Sequence, residues 1–327
     1  MEFNFNFNEG TVENKAVQLD ADKIYDVLIL GGGPAAQTAA VYCMRKGVTT
    51  GIITKNFGGQ VAETSDVENY MGYTHINGPE LMKKFREQVE QFEISVLEGY
   101  SVTGITAGKI ISVSVDNGKE YRTKSLIIST GKSWRKLNVP GEVELTGKGV
   151  AYCSICDAPL FKGKKVIVVG GGNSGLESAL DLAKAAEFVT LVQFLPELTA
   201  DRILIDKFEE FQNKKIIFEH EVVEIHGKDR VDGVSLKNRK TGTIEKTNAD
   251  GIFIEIGLVP NTAPFKGIIP LNEIGEIIVD CACRTGIDGI FAAGDVTSVP
   301  FKQIVISAGE GAKAALSACE YILSYQN

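Results

Sequence analysis

Twice in this chain of 327 residues a short apolar run stops at a cluster of glycines, and a small-residue helix pattern follows. The first run covers residues 24–30 and ends in Gly31-Gly32-Gly33-Pro34-Ala35-Ala36; a helix to about residue 46 and a strand over about 49–54 come next. The second covers residues 164–169 and ends in Gly170-Gly171-Gly172-Asn173-Ser174-Gly175; a helix to about residue 186 and a strand over 189–193 come next. Glycine lets the backbone approach a pyrophosphate. The start of the following helix offers free N–H groups and the positive end of its dipole to the phosphates. Either turn alone would be a moderate signal, because glycines also join strands to helices for packing. Two such units, G-x-G-x-x-A and G-x-G-x-x-G, predict an α/β fold of two dinucleotide-binding, Rossmann-like, three-layer domains. The length suits about two domains with full cores.

The remaining pattern arranges these domains. Residues 1–22 form a polar leader in which Phe3, Phe5 and Phe7 alternate with asparagine. That period of two suits an added edge strand or a docking arm, and equally a frayed tail. A loop with Phe57, Gly58, Gly59 and Gln60 follows the first unit. Gly78-Pro79 opens an amphipathic helix to about residue 92, and residues 100–121 read as a hairpin. The character changes around 134–141, a crossing between domains. After the second unit come an acidic amphipathic helix (201–212), a hairpin (231–246), the segment Gly257 to Thr262, a strand over 277–279, and a long helix from about Ile304. The expected domains are 23–135 with 263–327, and 136–262 inserted between them.

The formal net charge is -8 without a long basic run, which excludes nucleic acid and anionic membrane as natural partners. No apolar run reaches the length of a membrane span, and Glu2 and Glu9 do not suit a signal peptide, so a cytoplasmic protein is expected. There are six cysteines. Cys43 and Cys319 read as small core residues of helices. Cys281 and Cys283 lie on a β pattern whose alternation points both to one face. Cys153 and Cys156 form a C-x-x-C followed at once by Asp157. That spacing closes a small redox disulfide. It is also half of a zinc site, for which Cys281-Ala282-Cys283 could be the other half, although a one-residue gap is atypical. No metal is expected. Asp157 reads as a general acid/base beside a thiol pair, or as a loop carboxylate or helix N-cap. His75, His220 and His226 match no ligand or triad spacing.

Taken in order, these motifs resemble the low-molecular-weight thioredoxin reductases. The chain looks closest to their relative, the reductase part of the flavoprotein subunit of alkyl hydroperoxide reductase. The resemblance runs from Ile24 to the end. It rests on Gly31 to Ala36, Phe57 to Val61 with Glu68-Asn69-Tyr70, Cys153 to Asp157, Gly170 to Gly175, Gly257 to Thr262, Ala292 to Asp295 and Lys302-Gln303-Ile304. Pro159 to Lys164 and Gly309 to Ala314 look particularly like the peroxide-system protein. The resemblance implies FAD held by Gly31, Gly33, Pro34, Ala35, Thr54, Lys55, Gly59, Gln60, Asn69, Thr130, Gly131, Gly294, Asp295, Lys302, Gln303 and Ile304. It implies a nicotinamide nucleotide held by Gly170, Gly172, Asn173, Ser174, Gly175, Gln193 and Gly257. Electrons would run from the nucleotide by way of FAD to Cys156 and Cys153, with Cys153 attacking a partner's disulfide and Asp157 moving protons.

Two departures sharpen the expectation. Thr54-Lys55 stand where a simple NAD site would place an acid after the second strand, which suits FAD better there. NADPH-using members carry a His-Arg-Arg cluster and a further arginine in the second domain, clamping the 2′-phosphate. Here those positions read Gln193-Phe194-Leu195 and Thr199, with no basic side chain before Arg202, so NADH is expected over NADPH. The related flavoprotein has an extra N-terminal dithiol domain, and a short leader without cysteines stands here instead. Electrons are therefore expected to pass to a separate disulfide protein of thioredoxin or glutaredoxin-like type, the latter linked to a peroxiredoxin. The family implies a homodimer. The dithiol and the second nucleotide turn share one expected domain while the flavin belongs to the other, so one domain is expected to rotate on the other, hinged near 132–140 and 257–262. The alternatives are a ferredoxin-linked or NADH-oxidising flavoprotein of the same fold, and a flavin-binding sensor.

Overall fold

The computed structural model describes residues 15–63, 67, 69–152 and 154–325. The chain forms two compact units. The first takes the residues up to Ala62, Val67–Lys132 and those from Pro260 onward; the second is built on Ser133–Val259.

The first unit begins with β1 (Val17–Gln18), β2 (Ile24–Leu30), α1 (Pro34–Arg45), β3 (Thr50–Thr54), α2 (Gly78–Glu90), β4 (Ser95–Glu98), β5 (Val102–Thr106), β6 (Ile111–Val115) and β7 (Glu120–Ile128). Strands β4, β3, β2 and β7 are parallel neighbours, and β6 and β5 extend the sheet as an antiparallel meander. β2 reads IYDVLIL, and Val27 to Leu30 are wholly buried. Such a continuous apolar run marks a strand covered on both faces. Alternation sends Val27 and Ile29 into the core under α1, and Leu28 and Leu30 into the core on the opposite face. The end of the leader is ordered onto this sheet. Val17 N donates to Ile94 O and Leu19 N to Val96 O, which makes β1 a parallel edge strand beside β4 and buries Leu19. Phe3, Phe5 and Phe7 lie outside the described residues.

The chain continues through β8 (Lys132–Trp134), β9 (Val150–Ala151), α3 (Ser154–Asp157), β10 (Lys165–Val169), α4 (Asn173–Ala183), β11 (Phe188–Gln193), α5 (Arg202–Glu209) and β12 (Lys214–Phe218). Then come β13 (His220–Gly227), β14 (Val231–Asn238), β15 (Ile244–Asn248), β16 (Gly251–Ile254) and β17 (Leu258–Pro260). The second unit holds a parallel sheet in the order β12-β11-β10-β16-β9, and β13, β14 and β15 form a separate antiparallel sheet. The two passages between the units run side by side. Asn261 N donates to Gly131 O within the first unit, and Arg135 N to Gly257 O within the second.

The last stretch completes the first unit. β18 (Ile290–Ala292) pairs in parallel with the C-terminal half of β7, and α6 (Ile304–Tyr325) packs on α1. The contact is made by Ala35, Ala36, Ala39, Ala40, Ala314, Ala315 and Ala318. It is so close that a Cβ on Gly311 would stand 2.1 Å from Ala35 O. Two expectations fail in this stretch. Residues 277–279 form no strand; Ile277 makes isolated bridges to Leu271 and Thr297. Cys281 and Cys283 do not share a strand face. They sit in a turn where Asp280 Oδ1 accepts from the amides of Ala282 and Arg284, leaving Cys281 exposed and Cys283 buried with φ 64°. Among the described residues no helix is long and apolar enough to cross a membrane.

Candidate active site

Both glycine turns are built to one plan. In the first, Gly31 adopts φ 123°, and a Cβ there would stand 2.2 Å from Ser129 O, at the end of β7. In the second, Gly170 adopts φ 119°, and a Cβ would stand 2.2 Å from Glu255 O, at the end of β16. Only glycine fits either place. The N-cap residues differ from these: a Cβ on Gly33 meets no atom within 4 Å, and on Gly172 only Thr199 Oγ1 at 3.7 Å. Neither cap is made by a side chain. Each helix start thus has unfilled space beside unpaired amides, as a phosphate requires. Pro34 at the first position of α1 has no N–H to leave unpaired.

Around the first turn the unit gathers several of the expected residues. Gly58 N donates to Gly32 O at 2.8 Å, and a Cβ on Gly59 would lie 3.5 Å from the Gly33 Cα. Gly294 abuts Ala35, and the Asp295 carboxylate accepts from Ser307 Oγ at 2.9 Å. Thr130 and Asn261 exchange hydrogen bonds of 2.9 and 2.8 Å. Gln303, just before α6, accepts from Asn69 Nδ2 at 3.1 Å. Thr54 is buried with its hydroxyl on Asn56 O, while Lys55 is exposed. Lys302 is engaged by its own surroundings. Its Nζ donates to the carbonyls of Thr297 and Val299 and pairs with Glu276 at 3.2 Å, beside a second pair from Lys132 at 2.9 Å. Burial alone would raise the Glu276 pKa. Hydrogen bonds from Lys132, Asn272 and Lys302 outweigh it and hold the carboxyl below its ordinary range.

Around the second turn, Gly175 is the closest approach: a Cβ there would stand 1.9 Å from Gly170 O. Asn173 is held by Asp201, through bonds of 3.0 and 2.7 Å, and Ser174 is exposed at the helix start. Gln193 is turned inward. Its Oε1 accepts from the amides of Gly171 and Phe194, and its Nε2 donates to Glu197 O at 2.8 Å. Sequence order concealed one neighbour. Arg239, at the far end of β14, lays its guanidinium 3.4 Å from the Phe194 ring centroid and donates to Phe194 O at 2.9 Å. The sequence offered no basic group near Phe194 before Arg202; β-sheet pairing brings one from beyond it.

Between crossing and second turn lies the dithiol segment. Cys153 lies outside the described residues, as does the side chain of Cys156. Their neighbours are firmly tied. Tyr152 donates to Glu142 at 2.7 Å, and Glu142, which is 1% exposed, also accepts from the amides of Leu137 and Asn138. Burial and that bond raise the Tyr152 pKa. On the other side of Cys153, Ser154 Oγ lies 2.8 Å from Ser178 Oγ of α4. Asp157 makes no cap bond with its side chain, and burial raises its pKa.

The pyridine nucleotide-disulphide oxidoreductase family profile matches residues 25–312. The chain belongs to that family. Its relatives include an alkyl hydroperoxide reductase component of Escherichia coli (strain K12), 43% identical over 319 residues. Another is a protein named NADH dehydrogenase from Ferdinandcohnia aciditolerans, 42% identical over 328 residues. The matches take in 96% and 98% of this chain but 61% and 63% of those proteins, so the chain spans about three fifths of the curated relatives it matches. Among solved structures, a thioredoxin reductase of Lactococcus lactis agrees with a TM-score of 0.79 at 37% identity, covering 92% of this chain and 99% of that one. The α/β class with two Rossmann-like domains, expected from the two glycine turns, is that of this family.

Proposed function

We propose that this chain is a flavoprotein disulfide reductase of the thioredoxin reductase type. It draws electrons from NADH and delivers them through Cys153 and Cys156 to a disulfide of a separate thioredoxin or glutaredoxin-like protein. The observation that carries the reading is the tie between Ser154, inside the C-x-x-C, and Ser178 on the helix of the second glycine turn. It joins the dithiol to a nucleotide cradle within one unit.

The residues divide the work. The unfilled space at Gly33 and the uncapped start of α1 fit the FAD pyrophosphate, with Asp295, oriented by Ser307, for the ribityl chain. Bound FAD would supply a two-electron carrier between the nicotinamide and the dithiol. The start of α4, open at Gly172, fits the nucleotide pyrophosphate. Asp157, its pKa raised by burial, holds a proton nearer to neutral pH than an ordinary carboxyl and exchanges it with the thiols. Cys153 attacks the partner and Cys156 resolves the mixed disulfide. NADH is favoured because Gln193, Phe194, Leu195 and Thr199 replace the clamp of NADPH-using members. Arg239 is already stacked on Phe194.

Steady-state assays against a panel of disulfide proteins test this. Cys156→Ser should trap the true acceptor as a mixed disulfide on Cys153, and a Cys153→Ser variant with undiminished disulfide reduction would sink the reading. NADH should exceed NADPH in kcat/KM by about tenfold or more, which is about 1.4 kcal/mol of discrimination. Arg239→Ala should leave that ratio within about fivefold, since a stacked guanidinium contributes about 1 kcal/mol at most here. The relative named NADH dehydrogenase favours a second reading, NADH oxidation without dithiol turnover. Full NADH oxidation by the double Cys153→Ser, Cys156→Ser variant would establish it.

A further inference from the structure

Glu255 lies just beyond the end of β16, at the floor of the second glycine turn. Its Oε1 is 2.5 Å from Ser178 Oγ, and Ser178 Oγ is 2.8 Å from Ser154 Oγ. The backbone amide of Ser154 also donates to the Glu255 carboxylate. Both serines are almost sealed from solvent, at 5% exposure for Ser154 and 2% for Ser178. A hydroxyl has one proton to give, so this chain of three groups has a direction. Ser178 Oγ is the donor toward both neighbours, and with Glu255 ionised its one proton goes to the carboxylate. With Glu255 protonated, the carboxyl can donate to Ser178 Oγ, the Ser178 proton turns to Ser154 Oγ, and the Ser154 amide loses an anionic acceptor.

We propose that Glu255 is a positioning residue for the Cys153–Cys156 pair: ionised, it pins Ser154, the residue after Cys153, through the amide and Ser178; protonated, it releases that hold. This extends the reading of Cys153 and Cys156 as the working dithiol. Ser154 begins α3, so whatever fixes it fixes the start of the segment that carries both sulfurs. The ionisation lies in a useful range. Burial raises the Glu255 pKa to about 7, the bond from Ser178 opposes that rise, the charge of Glu177 adds to it, and the Ser154 amide opposes it again. Glu177, on α4, is the charged group that acts on Glu255, and it is itself raised by burial and by Asp181 and Asp201.

The test uses whole protein reduced chemically and freed of reductant. Alkylation by iodoacetamide is followed on the peptide bearing Cys153 and Cys156 by mass spectrometry, at pH 6 and pH 8. A pinned segment is approached less readily, so at pH 8 both Glu255→Gln and Ser178→Ala should alkylate about threefold faster than wild type. That is the effect of weakening one charge-assisted bond by about 0.65 kcal/mol. At pH 6, where the hold is already released, the three should coincide. Identical profiles for wild type and Glu255→Gln overturn the proposal. So does wild-type behaviour of Ser178→Ala, which would leave only a direct charge effect. A pH dependence that disappears in Asp157→Asn but persists in Glu255→Gln also overturns it. Because no nucleotide is used, a wild type that NADH fails to reduce would defeat the functional reading and leave this outcome legible.

Discussion

The two glycine turns share their first and third positions and differ at the second and in what lies behind the helix. Gly32 is hemmed in by backbone, with a Cβ 2.2 Å from Asn56 O, whereas Gly171 faces side-chain atoms of Gln193 and Leu198 at 2.8 Å. The second turn makes its tightest packing locally, Gly175 against Gly170 O. The first has Ala36 at that place and receives its tight contact from Gly311 of α6, against Ala35 O. One local motif is therefore held in two ways. The second cradle is completed within its own helix, and the first is completed by a helix from the other end of the sequence.

The largest effect should separate the middle glycines. Gly32→Ala forces backbone apart and should cost about 3 kcal/mol with loss of flavin, while Gly171→Ala, which displaces side chains, should cost about 1 kcal/mol. Flavin absorbance per chain and thermal melting check both; equal costs would break the comparison. Next, Gly311→Ala should destabilise by about 2 kcal/mol and deplete flavin although residue 311 lies far from the turn in sequence. Gly175→Ala should leave flavin bound and weaken reduction by NADH.

Two acids, one buried and one half-buried, then sharpen the contrast through pH. Glu276, in the first unit, has its folded pKa below the ordinary 4.5, so its stabilisation is present above pH 4.5 and is lost as pH falls through the folded value. Glu255, in the second, has its folded pKa raised from 4.5 to about 7, so stability falls as pH rises through that interval. Urea midpoints at pH 5 and pH 8 should show Glu255→Gln losing less between the two than wild type. Glu276→Ala, which strands Lys132 and Lys302, should be weaker at both by about 3 kcal/mol. The smallest change in stability belongs to Gly33→Ala and Gly172→Ala, within about 0.5 kcal/mol. Each should nonetheless weaken its own ligand about tenfold, equivalent to about 1.4 kcal/mol: FAD for the first, nucleotide for the second.

The two cradles were legible because their information is local: strand, glycine turn and helix are contiguous, and alternation in β2 assigns each face. So was α2, which Asn77 caps by accepting from the Glu80 amide. What sequence concealed depends on pairing across distance. Arg239 reaches Phe194 only because hairpin strands carry it there. Glu255, Ser178 and Ser154 come from β16, α4 and α3, and no spacing links them. The partners of Lys302 were equally hidden: its ammonium sits on Thr297 O and Val299 O. The 277–279 run is apolar enough for a strand, but Ile277 finds only isolated bridges.

The dependence of the first cradle on α6 reaches into the birth of the protein. A ribosome releases α1 before the second unit and the Gly311 segment after it. The second nucleotide cradle can therefore close on the nascent chain, and the first must wait, its alanine face uncovered, until α6 has been made. Flavin capture would then follow the folding of the second unit, and a chain cut short before α6 would keep its nucleotide turn and lose its colour.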